Sequence, residues 1–61
     1  MFVKCFIVKI NSALESMYEE LADAGLDYSI EIFEDGYMTV TFETWSEQEL
    51  RDAYDIMKWY V

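Results

Sequence analysis

The sequence contains no histidine and no proline, and among its 61 residues it has one cysteine, two glycines and four basic residues. A single cysteine excludes a disulfide within the chain. Without histidine, the commonest metal ligand and the usual general base of enzymes are missing. No stretch reaches the roughly 18 apolar residues of a membrane span, and no charged start precedes an apolar run as in a signal peptide. We therefore expect a cytoplasmic protein with no metal, no cofactor and no membrane contact.

Acidic residues outnumber basic residues by 13 to 4, which gives a formal net charge of -9. Direct binding to DNA, RNA or an anionic membrane is disfavoured, because each needs positive charge at the contact. With 54% hydrophobic and 18% aromatic residues, the chain is nevertheless too apolar for the acidic disordered class. A chain of this length can build only one core. We therefore predict one small folded domain over residues 1–61.

Three segments have the pattern of strands. Residues 2–10 are β-branched and aromatic with only two lysines, which is typical of a strand covered on much of both faces. Residues 27–33 and residues 37–44 alternate between apolar and polar side chains. Asp35-Gly36 between them is a strong hairpin signal.

The length of the hairpin turn decides which apolar residues share a face. A two-residue turn would place Ile32 opposite Thr39 and so put the two apolar sets on opposite faces. A three-residue turn of Glu34, Asp35 and Gly36 places Ile32 opposite Met38 instead, and the apolar sets then agree. We predict the three-residue turn, with Gly36 at positive φ.

Two segments have the pattern of amphipathic helices. Ser12 with Glu15, and Ser46 with Glu49, each form a capping box that predicts a helix start. We expect Trp45 to pack in the core and to form a hydrophobic staple with Leu50. The predicted apolar stripes are Leu14, Met17, Tyr18, Leu21 and Ala22 in the first helix, and Leu50, Ala53, Tyr54, Met57 and then Tyr60 or Val61 in the second.

The first helix also carries a signal for its end. Gly25 supplies the left-handed residue that closes a helix, and Leu26 can then fold back on the last turn. The order of elements is therefore β-α-β-β-α. It predicts an α+β fold in which a three-stranded sheet has both helices on one face. This arrangement resembles a split β-α-β plait without its fourth strand, a likeness of topology only, and it leaves the first strand as an unpaired edge.

The predicted sheet exposes apolar side chains on the face away from the helices. The exposed set is either Phe2, Phe6 and Val8, or Val3, Cys5 and Ile7, in both cases beside Phe33 and Tyr37. We expect a homodimer through this face or through the edge of the first strand, since a small domain gains stability by covering such surface. The alternative is a twisted sheet whose aromatic residues cover themselves. Residues expected at an apolar partner or dimer contact are Phe2, Phe6, Phe33, Tyr37, Trp59 and Tyr60.

The acidic residues are concentrated in the middle of the chain, where no lysine or arginine occurs between Ile10 and Arg51. On the first helix, Glu15, Glu19 and Asp23 follow one another at four-residue intervals, at which like charges repel. We therefore predict an acidic partner-binding surface that consists of Glu15, Glu19, Glu20, Asp23, Glu34 and Asp35. The alternative is a solvated face that only keeps the protein soluble.

Groups that carry out chemistry are scarce, and we predict no catalytic residue. A catalytic carboxylate pair needs one buried member in a cleft, and a two-layer domain of this size has little depth. Glu31 is interpreted as an edge-protecting or dimer-rim charge. Cys5 is interpreted as a small hydrophobic residue, since its nearest basic neighbour is Lys4 and there is no histidine.

Two functional hypotheses remain. The first is a non-enzymatic inhibitor, of the kind carried by phages or mobile elements and then acting in the host cytoplasm. Its acidic helix would occupy a basic, nucleic-acid-binding surface of a larger protein. The second is a structural or assembly module that associates through its apolar sheet face or its edge strand.

Overall fold

The computed structural model describes residues 1–33 and 35–61, in which three strands and two helices follow the order β-α-β-β-α. They are β1 (Phe2–Lys9), α1 (Leu14–Asp23), β2 (Tyr28–Ile32), β3 (Tyr37–Thr44) and α2 (Glu47–Met57). The strands form an antiparallel sheet in the order β1-β3-β2, so β3 is central and β1 is an edge strand. The predicted α+β fold and the edge position of the first strand are confirmed.

The core lies on one face of the sheet, called here the inner face. The sheet contributes Phe6, Val8, Met38, Val40 and Phe42, and the rest of the cluster is Met17, Leu21, Leu26, Ala53 and Met57. Because the buried residues of α1 and α2 belong to the same cluster as those of the sheet, both helices cover the inner face, as predicted. Phe6 is only 7% exposed, and its ring lies 5.7 Å from that of Phe42. The prediction of Phe6 as a surface contact is therefore wrong.

The outer face of β1 is open to solvent. Val3 and Ile7 are 58% and 63% exposed, and Cys5 between them is exposed as well. The prediction that this strand is covered on much of both faces is wrong, because both helices pack on the inner face. The choice between the two side-chain sets is thereby settled, with Val3, Cys5 and Ile7 outside.

The hairpin has the predicted register. Ile32 pairs with Met38 and Tyr28 pairs with Phe42, so the apolar residues of β2 and β3 share the inner face. The structure nevertheless leaves Ile32 71% exposed. Tyr28, at the other end of β2, is half-buried and stacks on Tyr18 of α1, with ring centroids 6.3 Å apart. The first helix thus covers the start of β2 and leaves its end open.

The turn of the hairpin also agrees with its prediction where it is described. Gly36 has φ of +85°. The carboxylate of Asp35 accepts a hydrogen bond from the backbone N–H of Tyr37 at 3.2 Å, which stabilises the turn locally. Glu34, the other residue of the predicted turn, lies outside the described residues.

The start of α1 differs from its prediction. The N-cap is Ala13, which makes no side-chain cap, and the helix begins at Leu14. The side chain of Asn11 accepts from the N–H of Ala13 at 2.9 Å. Asparagine readily bonds the backbone two residues ahead, and this local turn takes the place of the cap predicted at Ser12.

The end of α1 follows its prediction closely. Gly25 has φ of +69°, and its N–H donates to the carbonyl of Ala22 at 3.0 Å. The N–H of Leu26 donates to the carbonyl of Leu21 at 3.1 Å, and both side chains lie in the core. These two bonds make a Schellman motif that satisfies the last carbonyls of the helix.

The start of α2 has a capping arrangement that includes one residue beyond the predicted box. Ser46 Oγ accepts from the N–H of Glu49 at 3.3 Å, as predicted. The N–H of Ser46 donates to Thr44 Oγ1 at 3.0 Å, and the Thr44 hydroxyl donates to the Glu49 carboxylate. Trp45 is 80% exposed, so the prediction of core packing is wrong. The alternation of β3 places this residue on the outer side.

The two serines provide a direct test of these helix starts. We expect Ser46→Ala to lower the free energy of unfolding by about 1 kcal/mol, the usual effect of losing an N-cap. Ser12→Ala is the matched control, and we expect it to change stability by no more than about 0.5 kcal/mol, as at an ordinary surface site. Urea unfolding measures both. Equal losses in the two variants would contradict the conclusion that the turn at Asn11 takes the place of a cap at Ser12.

Candidate protein-interaction surface

The basic residues lie on one half of the molecule. The basic residues lie on β1 (Lys4 and Lys9), on α2 (Arg51) and just after it (Lys58). The second helix packs over β1, where the Tyr54 ring lies 5.7 Å from that of Phe6. The first helix lies on the β2 side, as the stacking of its Tyr18 shows. The cations are therefore separated from the carboxylates of α1.

The acidic face of α1, defined as Glu15, Glu19, Glu20 and Asp23, is exposed. Three of these residues stand four apart, so their side chains are neighbours along one side of the helix, with Cβ atoms roughly 5–6 Å apart. Each like-charge pair at this spacing costs roughly 0.2–0.5 kcal/mol. This repulsion is not offset within the chain, because no cation among the described residues lies within ion-pair distance of these carboxylates.

The second helix shows the opposite arrangement. Arg51 Nη2 lies 3.2 Å from Glu47 Oε1, and Lys58 Nζ lies 3.8 Å from Asp55 Oδ1. Both pairs are solvent-exposed, so each contributes a few tenths of a kcal/mol at most. Acids of α2 are therefore partly neutralised, whereas those of α1 form no ion pair with any described residue.

Glu20 has a contact inside the chain. The hydroxyl of Tyr60 donates a hydrogen bond to its carboxylate, which raises the pKa of the Tyr60 phenol above the ordinary value of 10.0. Tyr60 also packs against the core. This bond joins the residues after α2 to α1, and it leaves Tyr60 only partly available as the partner anchor that the sequence predicts.

The hairpin turn lies at the end of the sheet where α1 begins. The carbonyl of Gly36 accepts from the N–H of Ile10 at 2.8 Å, directly after β1. Asp35 is exposed at this end, and Glu15 is exposed in the first turn of α1. Of the two predicted acidic turn residues, Glu34 lies outside the part of the chain that the structure describes.

The predicted apolar contact residues are placed at separate sites. Phe33 and Tyr37 face each other on the outer face across β2 and β3, and each is partly exposed. Phe2 is exposed at the start of β1. Trp59 is 77% exposed, with the Lys58 ammonium 5.6 Å from its ring centroid. These residues do not form one patch.

A groove beside β1 is a feature that the sequence pattern did not reveal. Lys4 Nζ lies 5.8 Å from the Phe6 ring centroid and 6.0 Å from that of Tyr54, at distances typical of cation–π contacts. The groove has a volume of about 320 Å³ and is lined by Lys4, Cys5, Phe6, Ile7, Tyr54, Lys58 and Val61. Once the orientation of β1 is known, the position of Tyr54 in the helical stripe would have indicated it.

Other sites on the surface are shallow. A recess of about 410 Å³ is lined by Asp27, Tyr28, Ser29, Thr41 and Glu43, and it is open to solvent. Glu31 is exposed on the outer face, and Cys5 is a free exposed thiol.

Among the described residues, no group of three or more cysteine or acidic side chains could hold a metal ion. Neither described helix has the length and hydropathy needed to cross a membrane.

The bond between Tyr60 and Glu20 makes a prediction about pH. The folded state favours the neutral phenol of Tyr60. The bond therefore stabilises the folded state below about pH 10, and this contribution is lost as the pH rises through the raised pKa of Tyr60. We expect Glu20→Gln to return the pKa of Tyr60 towards its ordinary value, as followed by NMR with Tyr60→Phe for assignment. Glu19→Gln should leave it unchanged. An unaltered pKa in Glu20→Gln would contradict the bond.

The acidic ladder makes a prediction about stability. Glu19→Gln removes the central charge, and we expect the free energy of unfolding to rise by about 0.4–1 kcal/mol at low salt. Glu47→Gln is the matched control, because it loses the attraction to Arg51 and should be destabilised by about 0.3–0.5 kcal/mol. Urea unfolding should show both effects shrinking in about 1 M salt, where the Debye length is roughly 3 Å. Destabilisation by Glu19→Gln would contradict an uncompensated ladder.

Comparison with known proteins adds no functional information. No family model matches the chain, and no curated protein and no solved structure is significantly similar to it. The function therefore has to be inferred from two surfaces, the acidic face of α1 and the free edge of β1.

Proposed function

We propose that this chain is a small, non-enzymatic binding protein that inhibits a larger protein by occupying its basic, nucleic-acid-binding surface. The acidic face of α1 makes the contact. The observation that carries this proposal is the row of exposed carboxylates on α1, which has no cation of the described residues within ion-pair distance. A partner rich in Lys and Arg would relieve their repulsion and pair them.

The spacing of the row suits such a partner. The Cβ atoms of residues that stand four apart on a helix lie roughly 5–6 Å apart, which is near the spacing of phosphates along a nucleic-acid strand. A surface built to contact successive phosphates can therefore contact successive residues of the acidic face. Electrostatic complementarity of this kind mainly accelerates and directs association.

The helix that carries the row is also held in place. Met17 and Leu21 are completely buried beneath it, and the Schellman motif at Gly25 fixes its end. The bond from Tyr60 to Glu20 holds one of the four carboxylates. A helix whose backbone and one carboxylate are already held loses less conformational entropy when it binds, so more of the interaction energy appears as affinity.

The decisive experiment compares two variants with the same net charge. In the test variant, the acidic face is neutralised by Glu15→Gln, Glu19→Gln, Glu20→Gln and Asp23→Asn. In the control variant, four exposed carboxylates elsewhere are neutralised by Glu31→Gln, Glu43→Gln, Glu47→Gln and Asp55→Asn. Each is immobilised beside the unchanged chain and used for capture from a native lysate of the source organism or its host, with stepped salt elution and double-stranded DNA as competitor.

We expect a nucleic-acid-binding protein that is released by moderate salt and displaced by DNA, because exposed charge contacts are screened within about 8–10 Å at such ionic strength. The control variant should retain it and the test variant should lose it. The purified partner should lose its own DNA or RNA binding when the chain is added. Equal losses in both variants would show that capture depends on the net charge of the chain and not on the acidic face, and would contradict the proposal.

The free edge of β1 favours a second candidate function, an assembly module that adds its sheet to that of a partner. In that case, the captured partner stays bound at high salt and is not displaced by DNA. Neutralising the acidic face then leaves capture unchanged.

A further inference from the structure

β3 satisfies the backbone hydrogen-bonding groups on one side of β1, and the groups on the other side form a free edge. In an antiparallel ladder, alternate residues bond the same neighbour. The N–H of Ile10 donates to Gly36, so the even-numbered residues of this register bond β3. The N–H and C=O groups of the odd-numbered residues therefore point to the free edge. These residues are Val3, Cys5, Ile7 and Lys9.

This edge has few of the features that keep other edges from pairing. All eight residues of β1 pair with β3 in unbroken register, without proline or bulge. Natural edges are often guarded by a charge. Lys4, which could serve this purpose, instead lies over the rings of Phe6 and Tyr54 in its own chain.

Apolar surface flanks the edge on both sides of the sheet. Val3 and Ile7 are exposed on the outer face. On the inner face, Tyr54 is half exposed and Val61 is largely exposed, and both line the groove beside β1. A strand that paired here would satisfy the backbone groups and would also cover this apolar surface.

We propose that a second copy of the chain occupies this edge, with the two β1 strands antiparallel about Cys5 and the two sheets joined into one of six strands. This register places Val3 opposite Ile7 of the partner subunit and Lys4 opposite the partner's Phe6. It meets the requirement that odd-numbered residues, whose backbone groups are free, pair with each other. The strand is thus complementary to itself.

The charge distribution favours a second copy at this edge and disfavours other surfaces. The chain has a net charge of -9, but β1 carries two lysines and no carboxylate. At the opposite edge, two copies would bring together Glu31 of β2 and the acidic face of α1, which lies on that side. A register centred on Lys4 instead would place Lys4 opposite the partner's Lys4. The register about Cys5 avoids both repulsions.

The unchanged full chain gives the first readout. Its mass in solution, measured by sedimentation equilibrium, should be twice 7.3 kDa. Amide hydrogen exchange by NMR should show protection at every residue of β1 in the dimer, with protection of the odd-numbered amides lost on dilution. A monomer at millimolar concentration, or odd-numbered amides that exchange freely in the dimer, would overturn the proposal.

Two variants separate the edge from the outer face. Ile7→Pro removes an N–H that points to the free edge and leaves the β1–β3 bonds intact, so we expect a folded monomer. Phe33→Glu places a charge on the outer face and should remain a dimer. If Ile7→Pro failed to fold by circular dichroism, Ile7→Lys would replace it, since the inserted charges would face the apolar Val3 of the partner subunit. The opposite pattern, a dimer lost only in Phe33→Glu, would overturn the proposal.

The register has its own test, because Cys5 is the only thiol. Opposite residues of a hydrogen-bonded antiparallel pair have Cα atoms about 5.5 Å apart, within the usual range for a disulfide. Diamide, which accepts the two electrons and two protons released by two thiols, should convert the dimer into a covalent one. Ile7→Pro should not cross-link under the same conditions. A dimer that resists diamide would exclude the register about Cys5.

Discussion

Both helices pack on one face of a three-stranded sheet, and the rest of the molecule depends on this constraint. Sheet residues such as Val40 and Met38 are buried because α1 and α2 lie over them. The other face has no such cover, and Val3 and Ile7 remain in solvent. In a chain this small, one set of apolar residues therefore forms the core. A second set remains on the surface, where another chain can pack.

The same packing separates the charges. The second helix lies over β1 with its own ion pairs, and α1 lies towards β2 with carboxylates that form no ion pair with any described residue. Contact through the acidic face and contact through the β1 edge therefore use opposite sides of the molecule. A dimer through β1 would leave both acidic faces free, so the inhibitory proposal and the dimer proposal are compatible and independent.

The sequence predicted local features whose cause is local. The register of Ile32 and Met38 follows from the length of one turn, and the end of α1 follows from the φ that glycine allows. It could not orient β1, because both alternating sets of that strand are apolar and only the position of the helices decides between them. The contact of Tyr60 with Glu20 joins residues forty apart, so no short-range pattern contains it.

The hairpin turn constrains how this protein can evolve. Its length fixes which side of β2 faces the core, since one residue more or fewer would reverse every side chain of one strand. Substitutions in the exposed turn are tolerated wherever the positive φ of Gly36 is kept, but insertions and deletions are acceptable only in pairs. Among descendants of this sequence, the turn can therefore change residues other than Gly36 while its length stays odd.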